Sequence, residues 1–121
     1  MSLKQYLDGD HVGVSTLDGK QTLPDERLAS LGHSRNVVVR VPYFCAAIEA
    51  IPQTRLIATV PRRFGLLYAN DKRIKLLEPP DPLHAFKYVM IWHPRVNTDA
   101  AHIWLRRTMQ NLGKLLDAEK K

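Results

Sequence analysis

The chain has 121 residues, of which 45% are hydrophobic and 25% charged, and its formal net charge is +6. This composition is typical of a globular domain and differs clearly from that of disordered chains. No apolar run approaches the roughly 20 residues that span a bilayer, and one cysteine, Cys45, excludes an intramolecular disulfide. We therefore expect a soluble cytoplasmic protein of one domain or two small lobes, with no membrane contact.

The positive charge is spread along the chain in pairs such as Arg62-Arg63 and Arg106-Arg107. Surfaces that bind nucleic acids concentrate Lys and Arg, because clustered charge displaces counterions from phosphates, and they often interleave aromatic residues. The dispersed pattern indicates mostly solvated surface charge. It argues against a nucleic-acid site on this chain.

The first part of the chain predicts a strand, a helix and a second strand. An apolar stretch at residues 11–15 predicts the first strand. Thr22 and Asp25 have the spacing of a capping box, which predicts a helix over residues 23–31. The β-branched run Asn36–Val41 then predicts a strand that is buried on at least one face.

Two proline residues mark the next changes of structure. Pro42 ends the second strand and is well placed as the first residue of a helix that continues over residues 43–51. Residues 56–60 predict a third strand, which Pro61 closes before a short helix over residues 62–69. Successive strand-proline-helix units predict an open, largely parallel α/β sheet.

The remaining elements are two further strands and one long helix. Residues 74–77 and 86–92 have strand composition, and a proline-rich connector at residues 78–82 separates them. The helix covers about residues 98–117, with its N-cap at Asn97, Thr98 or Asp99. Apolar residues recur on one face of this helix at Ala101, Leu105, Met109, Leu112 and Leu116.

The sequence contains no phosphate-binding glycine loop, no nucleophile elbow and no zinc-protease motif. Asp99 and His102 could share a metal ion, but helix capping by Asp99 is the favoured reading. Cys45 could be a reactive thiol near a helix N-terminus, although a buried, inert cysteine is commoner. His11, His33 and His84 are expected at the surface or partly buried, and His93 is read as a loop residue rather than a catalytic base. We therefore expect no enzyme activity, no metal and no cofactor.

A ligand site is expected where the predicted strands end. In open α/β sheets, ligands bind beyond the carboxyl ends of the strands, where loops and helix N-termini converge. Three such ends offer hydroxyls, aromatic rings and free amides, which suit a small-molecule pocket. The candidate ligand-binding residues are Ser15, Thr16, Pro42, Tyr43, Phe44, Thr59 and Val60. Tyr43 and Phe44 could equally fill the core, and spacing alone leaves both readings open.

Several segments together resemble the effector-binding domain of LysR-type transcriptional regulators, especially the branch of nodulation and aromatic-degradation regulators. Residues 40–47, RVPYFCAA, and residues 56–63, LIATVPRR, carry most of the resemblance. KLLEPP at residues 75–80, WHPR at 92–95 and AHIWLR at 101–106 follow in the family's order and spacing. The similarity covers about residues 3–110.

The resemblance implies part of a two-lobed fold like that of periplasmic binding proteins. Residues 1–58 would form the second lobe, and residues 59–121 the hinge return and the last elements of the first lobe. The chain would then come from a longer protein whose helix-turn-helix, absent here, contacts DNA.

The resemblance also implies that a small aromatic or carboxylated effector binds in the cleft between the two lobes. Ser15 and Thr16 would hydrogen-bond to it, Tyr43 and Phe44 would wall its ring, and the amides after Pro42 would favour an anionic group. The helix around residues 23–31 and strand 36–41 correspond to dimerisation elements, so a homo-oligomer is expected. The alternative is an oligomerisation or interaction module without a ligand of its own.

Overall fold

Three parallel strands form the sheet in the computed structural model, which describes residues 1–15, 22–83 and 89–118. Strand β1 (Asp10–Val14) is central, β2 (Asn36–Val41) lies on one side of it and β3 (Ile57–Ala58) on the other. β2 pairs with β1 through five residues, with Val38 left out at a register shift between His11 and Val12, whereas β3 pairs with β1 through two residues only. The predicted α/β architecture with a parallel sheet is confirmed.

Helices connect the strands, as parallel pairing requires. The structure has five α-helices in its described residues: α1 (Leu3–Leu7), α2 (Leu23–Ala29), α3 (Phe44–Glu49), α4 (Arg62–Leu66) and α5 (Ala100–Ala118). Short 3₁₀ turns occur at Asp81–Leu83 and Pro94–Val96. α2 joins β1 to β2, and α3 joins β2 to β3 while packing against both β1 and β2.

The local signals at the helix starts have mixed outcomes. Thr22 and Asp25 form the predicted capping box of α2. Asp99 caps α5, because its Oδ1 accepts a hydrogen bond from the amide of His102 at 2.7 Å. Pro42, however, is not the first residue of α3. Tyr43 is the N-cap, with extended backbone angles and no side-chain capping bond, so α3 begins two residues later than predicted.

The core of the sheet is small and lies around β1. Its buried hydrophobic residues are Tyr6, Val12, Leu28, Ala47 and Ile48. His11 and Val12 are adjacent in β1 and both buried. Since neighbouring residues of a strand point to opposite faces, both faces of β1 are covered.

β2 does not have the burial expected of it. Val38 and Val39 are 52% and 39% exposed, and most of the strand is exposed on both faces. The prediction of a strand buried on at least one face is therefore wrong. A strand face is buried only where another element packs across it, and among the described elements only the short helix α3 packs appreciably on β2.

Two predicted strands of the second half are not strands in the part of the chain that the structure describes. Residues 74–77 and 89–92 have no ladder partner, and residues 86–88 lie outside the described ranges. An extended segment becomes a strand only where a neighbouring strand accepts its hydrogen bonds. The sheet ends at β3, so strand-like composition alone does not extend it.

The chain divides into two compact units, Met1–Ala85 and Phe86–Lys121. The first contains the sheet. In the second, Arg106 donates to the carbonyls of Val96 and Asn97 at 3.2 and 2.9 Å, and its guanidinium lies 4.7 Å from the centre of the Trp92 ring. Arg106 thus fastens the segment before α5 to that helix. The assignment of residues 1–58 and 59–121 to different lobes stays a prediction.

Within the described ranges, no helix combines the length and the apolar character that a membrane span requires.

Candidate functional site at the carboxyl edge of the sheet

The carboxyl ends of the three strands lie at one edge because the strands are parallel. Ser15 follows β1, and its amide donates to the carbonyl of Val41, the last residue of β2, at 3.1 Å. The predicted site residues after β2 are Pro42, Tyr43 and Phe44, and those after β3 are Thr59 and Val60. The structure therefore brings these six residues to one edge, while Thr16 lies outside the described residues.

The aromatic residues at this edge face solvent. Tyr43 is 67% exposed and Phe44 is 38% exposed. Side chains that fill a core are far less accessible, so the reading that these two residues are core residues does not hold for this chain. Both rings are available to an external partner.

Thr59 is tied into a polar network behind the edge. The hydroxyls of Thr59 and Tyr6 lie 2.6 Å apart, and Arg35 Nη1 donates to the Tyr6 hydroxyl at 3.1 Å. Arg35 Nε also donates to Asp25 Oδ1 at 2.7 Å, with only 2% of the arginine side chain exposed. The network joins the end of β3 to the start of α2, and it occupies the Thr59 hydroxyl.

The charge balance of this network is set by Asp25. Burial raises the pKa of its carboxyl, but the hydrogen bonds from Arg35 and Thr22 outweigh burial and hold the pKa below its ordinary 3.8. Asp25 is therefore ionised at neutral pH and neutralises Arg35. A largely buried ion pair of this kind fixes both side chains, since removal of one partner would leave the other charged and poorly solvated.

His11 lies next to this network and is fully buried, which contradicts its expected surface or partly buried position. Its Nε2 donates to the carbonyl of Tyr6 at 2.7 Å, and the two rings lie 4.4 Å apart. Its Nδ1 has no hydrogen-bond partner among the residues the structure describes. Burial lowers the pKa of His11 below its ordinary 6.5. Its place in an apolar stretch of the central strand was the available signal for burial.

Sequence reasoning missed an aromatic series beside the edge. The rings of Phe44 and Phe64 lie 5.8 Å apart, and the ring of Tyr68 lies 5.8 Å from that of Phe64. Phe64 lies in α4 and Tyr68 in the turn that follows that helix. Their spacing of four residues just after Pro61 was the signal for a contact between these two rings. The series extends the apolar surface of Phe44 along α4.

A second missed residue is Arg40, near the end of β2. It is exposed and pairs with Gly13 across the β1–β2 ladder. A Cβ placed on Gly13 would lie 3.3 Å from Arg40 Nη1, so the arginine side chain crosses the sheet over the glycine. Within the described residues Arg40 has no hydrogen bond or ion pair. The sequence alone gave only a weak indication of this contact, because Arg40 is opposite Gly13 only in the observed register of β1 and β2.

Other candidates fall elsewhere. Cys45 is exposed, so the expectation of a buried cysteine is wrong; it lies in the first turn of α3, which the sheet does not cover on that side. A hollow of about 250 Å³ is lined by Met1, Ser2, Leu3, Pro79, Pro80 and Asp81, away from the strand ends. Among the described residues, no three His, Cys, Asp or Glu side chains are grouped as a metal site would require.

Comparison with known proteins gives a consistent set of relatives. The chain is 33% identical over 112 residues to the HTH-type transcriptional activator NagR of Ralstonia sp, covering 93% of this chain and 37% of NagR. It is 29% identical to the HTH-type transcriptional activator NahR of Pseudomonas putida, with the same coverage of both chains. No protein-family model matches the chain.

Its fold is also similar to the regulatory domain of MexT, a transcriptional activator in Pseudomonas aeruginosa. The TM-score is 0.71 at 26% identity, and the match covers 90% of this chain and 55% of that structure. The chain is a homologue of the LysR-type transcriptional regulators. The predicted resemblance is confirmed, and the matched structure is a regulatory domain. This LysR homologue spans little more than a third, 37%, of the length of NagR and NahR.

Proposed function

We propose that this chain is the effector-sensing part of a LysR-type transcription regulator, and that it binds a small aromatic or carboxylated molecule at the carboxyl edge of its sheet. The observation that carries the proposal is the exposure of Tyr43 and Phe44 at that edge, with 67% and 38% of their surfaces accessible. Ligand sites of open α/β sheets form at this edge. A cytoplasmic location and DNA contact through a helix-turn-helix outside these residues belong to the same proposal.

The residues suggest how such a ligand would be held. Tyr43 and Phe44 offer flat rings against which an aromatic ligand packs, and Phe64 and Tyr68 continue that surface. The Ser15 hydroxyl supplies a hydrogen bond at the centre of the edge. Pro42, Val60 and Thr16 would border the ligand, while Thr59 would act by holding the end of β3 through Tyr6.

Regulation would follow from unequal binding. A ligand shifts an equilibrium between two arrangements only by the difference in its affinity for them, and every factor of ten corresponds to about 1.4 kcal/mol. A ligand that contacts the ends of two neighbouring strands would bind the two arrangements with different affinity, because a change in the distance between the strand ends alters its contacts with both. The ligand would then favour one arrangement of the regulator on DNA.

Calorimetric titration of the chain with benzoate and with benzyl alcohol tests the proposal. Ser15→Ala combined with Tyr43→Ala should weaken binding about tenfold or more, because loss of a buried hydrogen bond alone costs about 1–3 kcal/mol. The matched control for the serine is Ser34→Ala, an exposed serine before β2, at the opposite edge of the sheet. Equal affinity of the double variant and the unchanged chain would remove these residues from the site.

A second candidate function is self-association without a ligand. β2 is an edge strand with exposed Val38 and Val39, and such edges pair readily with other strands. α5 also exposes apolar residues along one face, with Leu105, Met109 and Leu112 each about half accessible, at 47%, 54% and 50%. Contiguous apolar surface of this kind is typical of interaction sites. The oligomeric state in solution distinguishes this candidate.

A further inference from the structure

The side chain of Arg40 lies over a glycine of the neighbouring strand. Arg40 pairs with Gly13 in the β1–β2 ladder. A Cβ on Gly13 would lie 3.3 Å from Arg40 Nη1 and 3.6 Å from its Cγ. The stem and the guanidinium of Arg40 therefore both lie over Gly13, so the charge is directed across β1 rather than outward from the edge of the sheet.

The charge of Arg40 has no partner in the described part of the chain. Three other arginines show how the guanidinium is usually engaged in this structure. Arg35 pairs with Asp25 at 2.7 Å, Arg73 pairs with Asp71 at 2.7 Å, and Arg106 donates to two backbone carbonyls. A guanidinium presents several donors in one plane, which matches the two oxygens of a carboxylate. Arg40 thus offers a positioned but unused carboxylate-binding group.

Arg40 is also near the candidate site. Side chains two residues apart on a strand lie on the same face, so Ser15 is on the face of Gly13 across which Arg40 lies. Pro42 and Tyr43 are two and three residues after Arg40 in the chain. The residue between Arg40 and Pro42 is Val41, whose carbonyl accepts a hydrogen bond from the Ser15 amide. A hydroxyl and a guanidinium consequently face the same side of the sheet near its carboxyl edge.

We propose that Arg40 binds the anionic group of the effector, so that this edge selects an aromatic carboxylate over a neutral aromatic compound. The inference rests on the proposed function and goes beyond it by naming the charged group and the residue that recognises it. The ring of the ligand packs against Tyr43 and Phe44, and its carboxylate lies between the Ser15 hydroxyl and Arg40. Gly13 acts as a positioning residue, since the absence of a side chain there leaves room for the Arg40 side chain to extend across β1.

Titration of charge-altered variants with benzoate and benzyl alcohol tests this role. Arg40→Gln should weaken benzoate binding about fivefold, the upper range for an ion pair that remains in contact with water, and should leave benzyl alcohol binding unchanged. Arg40→Lys should give an intermediate loss, because an ammonium keeps the charge but not the planar fork. Added salt should weaken benzoate binding in the unchanged chain more than in Arg40→Gln.

Arg55→Gln is the matched control. It removes the same charge from an exposed arginine that precedes β3, at the opposite edge of the sheet. If Arg55→Gln and Arg40→Gln weaken benzoate binding equally, the effect comes from net charge and the role of Arg40 is refuted. If Arg40→Gln retains the full preference for benzoate, the role is also refuted, while the binding edge itself stands. If the unchanged chain binds neither compound, both this role and the proposed function fail.

A second variant tests position separately from charge. Gly13→Ala keeps the arginine but places a methyl group in its path, and Val37→Ala added to it relieves the approach of 2.8 Å to Val37 Cγ1. The double variant should lose benzoate affinity relative to Val37→Ala alone, with urea unfolding used to confirm that both are folded. Equal affinity of the two would show that the path over Gly13 is irrelevant.

Discussion

Replacement of His11 by glutamine should remove most of the acid sensitivity of this sheet near neutral pH. His11 is fully buried in the central strand, with Nε2 donating to the Tyr6 carbonyl and Nδ1 without a partner among the described residues. Protonation would place a positive charge and an unpaired donor in the core, close to Arg35. Glutamine retains an amide donor but does not titrate.

The sign and the size of the effect follow from the direction of the pKa shift. Burial lowers the pKa of His11 from its ordinary 6.5, outweighing the Tyr6 carbonyl, which raises it. Above 6.5 both the folded and the unfolded state hold neutral histidine, so the full stability is present. As the pH falls below 6.5, the unfolded chain takes up a proton that the folded chain does not. Stability then falls by up to about 1.4 kcal/mol per pH unit until the pKa of the folded state is reached.

Such a loss is about a tenth to a quarter of the stability of a typical small domain. Urea unfolding followed by circular dichroism between about pH 5 and pH 7 measures it. Asp25 contributes little in that window, because its pKa lies below 3.8 and its contribution is lost only at more acid pH. His11→Gln should flatten the dependence, whereas His33→Gln, which removes an exposed histidine, should retain it. An unchanged slope in His11→Gln would refute the argument.

Two further predictions concern the helix cap and the exposed apolar surfaces. Tyr43→Ser should raise the free energy of unfolding by about 0.5–2 kcal/mol, because Tyr43 is the N-cap of α3 and makes no side-chain capping bond; urea unfolding measures the gain, and a stability equal to that of Tyr43→Ala would contradict it. Sedimentation equilibrium should show dimers or larger species that Val38→Lys or Leu112→Glu weakens, since each puts a charge on an exposed apolar surface; a monomer at every concentration would exclude self-association.

Elements governed by local chemistry could be predicted from the sequence. The β-branched run of β2 defines the strand Asn36–Val41 correctly at both ends, and the capping residues Thr22 and Asp99 mark the starts of α2 and α5. These features depend on residues within about four positions of each other. The edge that carries Ser15 and Tyr43 was also accessible, because parallel strands place their carboxyl ends together.

Features that depend on distant neighbours could not be predicted in the same way. Residues 74–77 have strand composition without a partner strand among the described residues. Val38 is exposed at the register shift of the β1–β2 ladder, where it has no partner in β1. Arg40 was missed because the position of its side chain depends on the strand register that places Gly13 opposite it. Phe64 was missed because its contact with Phe44 joins two helices. In each case the deciding interaction links segments whose pairing no local pattern encodes.

The short ladder of β3 has a consequence for motion within the sheet. β3 is held to β1 by two paired residues and, beyond them, by the hydroxyl contact of Thr59 with Tyr6, whereas β2 pairs with β1 through five residues. Partial opening events follow the segments with the fewest bonds, so β3 can detach while β1 and β2 remain joined. Ser15 and Tyr43 then lie at the ends of the firmly paired strands β1 and β2, whereas Thr59 and Val60 follow the weakly paired strand β3. An edge built in this way can adjust its width to a ligand without the loss of the rest of the sheet.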